Sequence, residues 1–415
     1  MADLGFRGLL VLVVLIAALE PVRGLAGEAG WRPGTVGASV GGRVARPGTR
    51  VVLAVILVVC GCAFTAGVLQ VPAVVVMAGV FVLLTTVHLS QEFAGYVTED
   101  DDGTRHFKVH HHLHLAGMTL LAAAGTGPAA VAAGHGADPH RVTVWIAQGL
   151  WGAVAAHYFV SAVSKVRRRG LRWPDRRLFP FYLTLFSRFR TGDGETVRHS
   201  GAVRLLVNRP RWGVPVLWAA LLLEFSAPLM LLGSWPRAAI GAGLVLFHLS
   251  SRWLLSVDFR ENAMLAGLAA LPLPYAAGQG FGIDEHLPAV VVFVVCAVLS
   301  FLLDDRVYPF SNLPMFADAY RPSHVVTLRS ADGAEVHPTP ATVGCSTAGL
   351  SREYAAAETS GGDPAAFREQ VRERVTATGS VLPADATLWI ETVEVEPTGE
   401  VRTARRRLWS LSPAE

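Results

Sequence analysis

The chain has 415 residues, of which 52% are hydrophobic and only 17% charged, with a mean hydropathy of +0.40 and a formal net charge of +3. That composition excludes an ordinary soluble protein and fits a helical membrane protein with some soluble mass attached. Four cysteines, Cys60, Cys62, Cys296 and Cys345, make no disulfide framework, and Cys60-x-Cys62 is tighter than a CxxC redox motif.

Residues 1–19 carry Arg7 and then LLVLVVLIAAL, a signal peptide or a first span, with the uncleaved helix favoured because EPVRG follows rather than a small-x-small cleavage site. Residues 24–50 are rich in Gly, Arg and Pro and read as a loop. The runs 51–69 and 72–90 each approach the ~20 apolar residues that a bilayer requires, and Pro72 divides them as a helical hairpin. A polar stretch at 91–108 includes Glu99, Asp100, Asp101 and Asp102, after which KVHHHLHLAGMTLLAAAG opens a span on histidines. The next span, 142–165, ends on Lys165. Residues 166–211 are the most basic part of the chain and interleave arginines with Phe179, Phe181 and Tyr182, which suits an amphipathic segment at the membrane surface better than nucleic-acid binding.

Further spans are expected at 213–233, 237–257, 261–278 and 287–303, giving eight, or nine with the N-terminal run. The expected organisation is an N-terminal helix and loop over 1–50, a polytopic helical bundle over 51–317 and a small soluble α+β domain over 318–415, the whole being mainly α. Within the last, HVVTLRS, TLWIETVEV and VRTARRRLWSLS are strand-like and DPAAFREQVRERV is helical. If the spans alternate, the arginine-rich loops share one side with the C-terminal domain, and the positive-inside tendency makes that side cytoplasmic. The chain is thus expected to be a multi-pass protein of the cell membrane. No nucleic-acid partner is expected, and the sequence does not say what protein the C-terminal domain meets.

Ionisable groups inside spans cost roughly 2.5–3.5 kcal/mol at a helix centre and therefore point to function. Lys165 stands out because Lys108 is the only other lysine among 36 basic residues. Lysine, unlike arginine, can surrender its proton when desolvated and act as a base. His157, Ser161 and Lys165 lie at i, i+4 and i+8, one polar stripe on an apolar helix. Other intramembrane groups are His110, His111, His112 and His114 at one helix mouth, Glu224 in mid-span, and His248 with Arg252 at i, i+4. Three readings compete. His110 and His114 have a spacing that lets two imidazoles share a metal. A purely structural reading leaves the histidines in water and pairs Glu224 with Arg252. The third is acid–base chemistry centred on Lys165.

The run LWGAVAAHYFVSAVSKV, the preceding VTVW, the opening HHHLHLAG, the span WAALLLEFSAPLMLL and LFHLSSRWLLSVDFRENAMLA together resemble the HTTM domain, the membrane core shared with vitamin K-dependent gamma-glutamyl carboxylase. The resemblance covers about 108 to 270 and rests on the ordered set of segments. It implies that Lys165 is the base that deprotonates a reduced quinone of the menaquinol or vitamin K type. It also places His112 at the position of a catalytic histidine, His111 at that of an asparagine near the quinone, His110 beside them, and His248 on a histidine of a later span. No metal is expected, because a membrane di-iron oxygenase would show several histidine boxes and this sequence shows one. Three departures limit it: histidines replace asparagines at the helix opening, 318–415 is too short to replace the carboxylase's substrate-presenting domain, and the carboxylase has its lysine on the lumenal side whereas the arginine distribution puts Lys165 on the cytoplasmic side.

Overall fold

A computed structural model describes residues 2–24, 40, 42–89, 96–99, 105–108, 111–190, 201–255, 257–271, 283–303, 308–310, 323–329, 335–336, 343, 347–359, 364–377, 386–396, 398 and 400–410. Most of them are helical. The long helices are α1 (Ala2–Gly24), α2 (Pro47–Ala66), α3 (Gln70–Leu89), α4 (His111–Ala130) and α5 (Pro139–Arg169). They continue with α6 (Leu178–Arg190), α7 (Gly201–Asn208), α8 (Gly213–Ser226, prolonged by a 3-10 segment to Leu232), α9 (Ser234–Leu255), α10 (Arg260–Ala270) and α11 (Ile283–Leu303). Among the described residues six helical segments are long and apolar enough to cross a bilayer: Pro47–Ala66, Gln70–Leu89, Leu113–His135, Pro139–Arg172, Pro210–Leu232 and His286–Leu303. The expected span 261–278 contains only the 11-residue α10, and 272–278 lie outside the described residues.

α5 is the axis of the bundle. Asp138 starts it by accepting hydrogen bonds from the backbone N–H groups of His140 (3.0 Å) and Arg141 (3.2 Å), with Pro139 at the first helical position, where a missing N–H costs nothing. Its 31 residues extend for about 46 Å, so its end passes beyond a ~30 Å hydrocarbon layer. Gly170, at φ +63°, then terminates it in a conformation that only glycine takes freely.

Small residues let neighbouring backbones approach α5. A Cβ at Gly149 would strike Ala122 and Thr126 of α4, and one at Gly152 would strike Ala289 and Val292 of α11. Those contacts set α4 antiparallel and α11 parallel to α5, so the chain between α9 and α11 returns to the far end of the bundle. α1 packs antiparallel to α2, with Thr65 near Gly8 and Val11 against Gly61. Phe6, Leu10, Val13, Val14, Ala17 and Ala18 bury its inner face, so the N-terminal apolar run is part of the bundle core.

The stretch expected as a plain polar loop carries a hairpin, β1 (Tyr96–Glu99) with β2 (Arg105–Lys108). After α11 come β3 (Ser323–Arg329), β4 (Glu335–Val336), the helices α12 (Thr347–Thr359) and α13 (Pro364–Ala377), β5 (Thr387–Val395) and β6 (Val401–Ser410). The three expected strands and α13 are present, and α12 was not anticipated. The sheet is antiparallel in the order β4-β3-β5-β6. Alternation sends Val326, Leu328, Leu388 and Ile390 to one face, where they pack on Leu350, Tyr354, Phe367 and Val371 of α12 and α13. The opposite face rests on α6: Val393 and Val401 join Trp173, Phe179, Phe181 and Leu183 in one cluster. α6 therefore lies between the bundle and the sheet.

Candidate functional site

Tyr158, Ser161 and Lys165 occupy one face of α5 at steps of three and four residues, which a 3.6-residue repeat superposes. Lys165 is only 4% exposed, and its Nζ donates to both carboxylate oxygens of Glu224 at 2.5 Å and to Ser161 Oγ at 3.1 Å. Ser161 Oγ in turn reaches Glu224 Oε1 at 3.5 Å. Glu224, 3% exposed, comes from α8, so the pair ties two helices across 59 residues of sequence. The indole of Trp173 lies 5.1 Å from Lys165 Nζ and covers the ammonium with its ring face. In a medium without water, two opposite charges in contact compensate part of the desolvation that either would suffer alone.

Two turns back along α5, Tyr158 Oη is hydrogen-bonded to His248 Nε2 of α9 at 2.5 Å. Phe247 and Phe259 flank the imidazole at centroid distances of 5.1 and 5.3 Å. Lys165, Ser161, Glu224, Tyr158 and His248 thus form one buried polar cluster among α5, α8 and α9. It adjoins a cavity of about 340 Å³ with an overwhelmingly apolar wall, whose lining includes Lys165, Trp173, Phe179, Tyr182, Leu217 and Phe247. A long-tailed ring with one polar edge fits such a wall, since the amine is the charged group on it and Ser250 and Ser251 already donate to Phe247 O.

The expected site residues divide accordingly. Lys165 and His248 belong to the cluster. His157 is buried edge-on to Tyr158 at 5.3 Å, one position off the polar face. His110 and the side chains of His111 and His112 lie outside the described residues, although α4 begins at His111. His114 turns towards the exit of α11, bonding Pro309 O through Nδ1 at 3.0 Å and contacting the Tyr308 ring. Tyr308 donates to Leu113 O at 2.7 Å, and it packs where a side chain on Gly117 would stand. Among the described residues no group of three or more His, Cys, Asp or Glu is placed to hold a metal.

The pairing of Glu224 with Arg252 is not formed. Glu224 is engaged by Lys165, and Arg252 forms an ion pair with Asp258 at 3.1 Å, which Arg260 also grips at 2.8 Å. Asp258 is fully buried in the turn between α9 and α10 and accepts the N–H of Arg260. Burial alone would push its carboxyl up, but the charge and hydrogen bonds of Arg260, with Arg252 behind them, hold it below the ordinary aspartate value. Sequence reasoning missed Tyr158. Its spacing contained the signal: seven residues return to within about 20° of the starting direction, whereas the eight that separate His157 from Lys165 leave about 80°.

Fold and site together define a helical protein with six helices suited to crossing a membrane among its described residues, a buried lysine–glutamate pair beside an apolar cavity, and a small α+β domain. No family model matches the chain, and no curated protein or solved structure matches it significantly.

Proposed function

We propose that the bundle binds a quinol-type ring with an isoprenoid tail in the cavity beside Lys165, and that Lys165 receives the ring's proton. The observation that supports this is a lysine buried on the wall of an apolar cavity, in contact with a carboxylate that can hold or return its proton. When the shared proton rests on Glu224, the neutral amine takes the proton of a ring hydroxyl. The pair then ends as ammonium and carboxylic acid beside the ring oxyanion, carrying one net positive charge opposite it. The resemblance to the HTTM core leads to the same lysine and assigns His111 and His112, at the head of α4, to the ring oxygens. Quinol-linked oxidation or carboxylation would follow from that oxyanion.

The same reading places the protein in the cell membrane as a multi-pass chain with its C-terminal domain in the cytoplasm. With α1 and α9, 23 and 22 residues long, the six spans become eight, and a crossing by α10 with the residues after it makes nine. A reporter fused after Glu415 tests this, and periplasmic activity would reverse the orientation.

A second reading treats the bundle as a non-catalytic anchor whose soluble domain docks a partner. The Lys165–Glu224 contact favours it, because the pair already satisfies both charges and clamps α5 to α8. Lys165→Arg separates the two, since it keeps the cation and removes the titratable amine. Proton transfer predicts that the purified protein binds menaquinol and consumes oxygen with it, and that the variant binds but consumes none. Equal binding by both, with neither consuming oxygen, would leave only the anchor.

A further inference from the structure

A groove along α2 combines an apolar wall with a cationic mouth. Arg50, Val51, Val55 and Val58 recur at helical spacing and share one face of α2, and Val22 of α1 borders the same groove, which encloses about 430 Å³. Val51, Val55, Val58 and Val59 are exposed, so no described residue covers this face. From Arg50 to Val59 the helix rises about 14 Å, close to half of a ~30 Å hydrocarbon layer. At the mouth stand Arg43, Arg46 and Arg50. Arg43 O accepts the N–H of Arg46 at 3.4 Å, and Arg46 O accepts that of Arg50 at 3.0 Å, which sets the three at successive turns of the chain. Arg43 and Arg46 are exposed and Arg50 is half-buried. Arg50 donates through Nη1 to Val22 O at 3.3 Å, while its Nε is buried with no partner among the described residues. None of the three guanidinium groups is in an ion pair among the described residues. Arg46 also precedes the first turn of α2 without capping it, so the N–H groups of that turn add positive potential at the same mouth.

We propose that this groove binds one anionic phospholipid, its phosphate held by Arg43, Arg46 and Arg50 and one acyl chain laid along the valines towards Val59. Two features select a lipid over a soluble anion. The apolar wall has the depth of one leaflet, and a soluble anion would occupy the mouth and leave that wall bare. The helix is also one of those long and apolar enough to cross a bilayer, so its first turn lies where headgroups are; basic pockets between spanning helices hold phosphate-bearing headgroups at that depth. Three cations at the mouth select a lipid with net negative charge over phosphatidylcholine, whose choline would bring a fourth.

The experiment places the full chain in phosphatidylcholine nanodiscs doped with phosphatidylglycerol or phosphatidylcholine that carries a photoreactive diazirine in its acyl chain, and maps the crosslinks by peptide mass spectrometry. Val294 and Val298 of α11 are also exposed and serve as the internal reference. At low salt phosphatidylglycerol should label the Val51 to Val59 stretch tens-fold more than phosphatidylcholine does, while the two label α11 alike, and the excess should shrink at high salt. Arg43→Gln and Arg46→Gln should each cut the excess about fivefold, the fold-change equivalent of about 1 kcal/mol per arginine. Unchanged labelling of α11 reports that each variant stays folded and inserted. Equal labelling of α2 by the two lipids would overturn the proposal, as would an excess that survives replacement of all three arginines by glutamine. Loss of the excess on adding glycerol phosphate would reduce the site to one for a soluble anion, and protection of α2 from both lipids would give the face to a second copy of the chain; either result would overturn the lipid.

Discussion

α2 and α5 are both long enough to cross a bilayer, yet they are used in opposite ways. α2 is the more apolar and is only 17% buried along its most apolar stretch, whereas the corresponding stretch of α5 is 83% buried, and α5 carries a histidine, a tyrosine, a lysine and two glycines at its contacts. The reason is the solvent. A helix facing lipid needs nothing but hydrocarbon, so Val51, Val52, Val55 and Val59 face outwards from α2. A central helix meets other helices, and there small residues permit close approach and polar residues find partners. The least apolar span is therefore the one to search for function.

The sharpest test of that contrast is Glu224→Ala, which leaves Lys165 charged and buried against α8. A loss of about 3–5 kcal/mol is expected, read as a lower unfolding midpoint in detergent. Val59→Ala on α2 should leave the midpoint nearly unchanged. A comparable loss from both would mean that the pair contributes nothing specific. Next in size is Gly152→Val, whose side chain meets Ala289 and Val292 and should cost about 1–3 kcal/mol. Its counterpart is Gly79→Ala on α3, where a Cβ meets nothing within 4 Å and helix propensity should repay up to ~1 kcal/mol.

Asp258 offers a pH-dependent version. Its folded carboxyl titrates below its unfolded value, so its contribution is complete above about pH 4 and declines as the pH falls through the lowered value. Unfolding midpoints followed downwards from pH 5 should fall for the wild type and run flatter for Asp258→Asn. Parallel curves would dismiss the role given to Arg252 and Arg260. The smallest effect concerns thiols. Exposed Cys62 on α2 should react with a lipid-soluble maleimide, and buried Cys296 on α11 should stay unlabelled until the bundle unfolds.

Much of the bundle was legible because a bilayer imposes a length: runs of about 20 apolar residues became α2 to α5, α8 and α11. α10 was not, since Leu268 to Ala270 continue into an apolar stretch and composition does not reveal where a helix stops. α12 escaped because TAGLSREYAAAET carries only a weak apolar stripe, and Leu350 and Tyr354 find their partners through the sheet. At the site, the rarity of lysine revealed Lys165, but its partner did not follow from sequence. The pairing expected from sequence gave Glu224 to Arg252, but Arg252 pairs with Asp258, six residues further on, and Glu224 meets Lys165 instead.

One contact at the opposite end of α5 bears on how the chain is made. Asp3 accepts from His140 Nδ1 at 2.7 Å, joining the first turn of α1 to the first turn of α5 across 137 residues. At about 5–20 residues per second, the ribosome needs roughly 7–30 seconds to deliver that partner. Throughout this interval α1 has its carboxylate but not its latch, so it takes its final seat only after α2, α3 and α4 have been made.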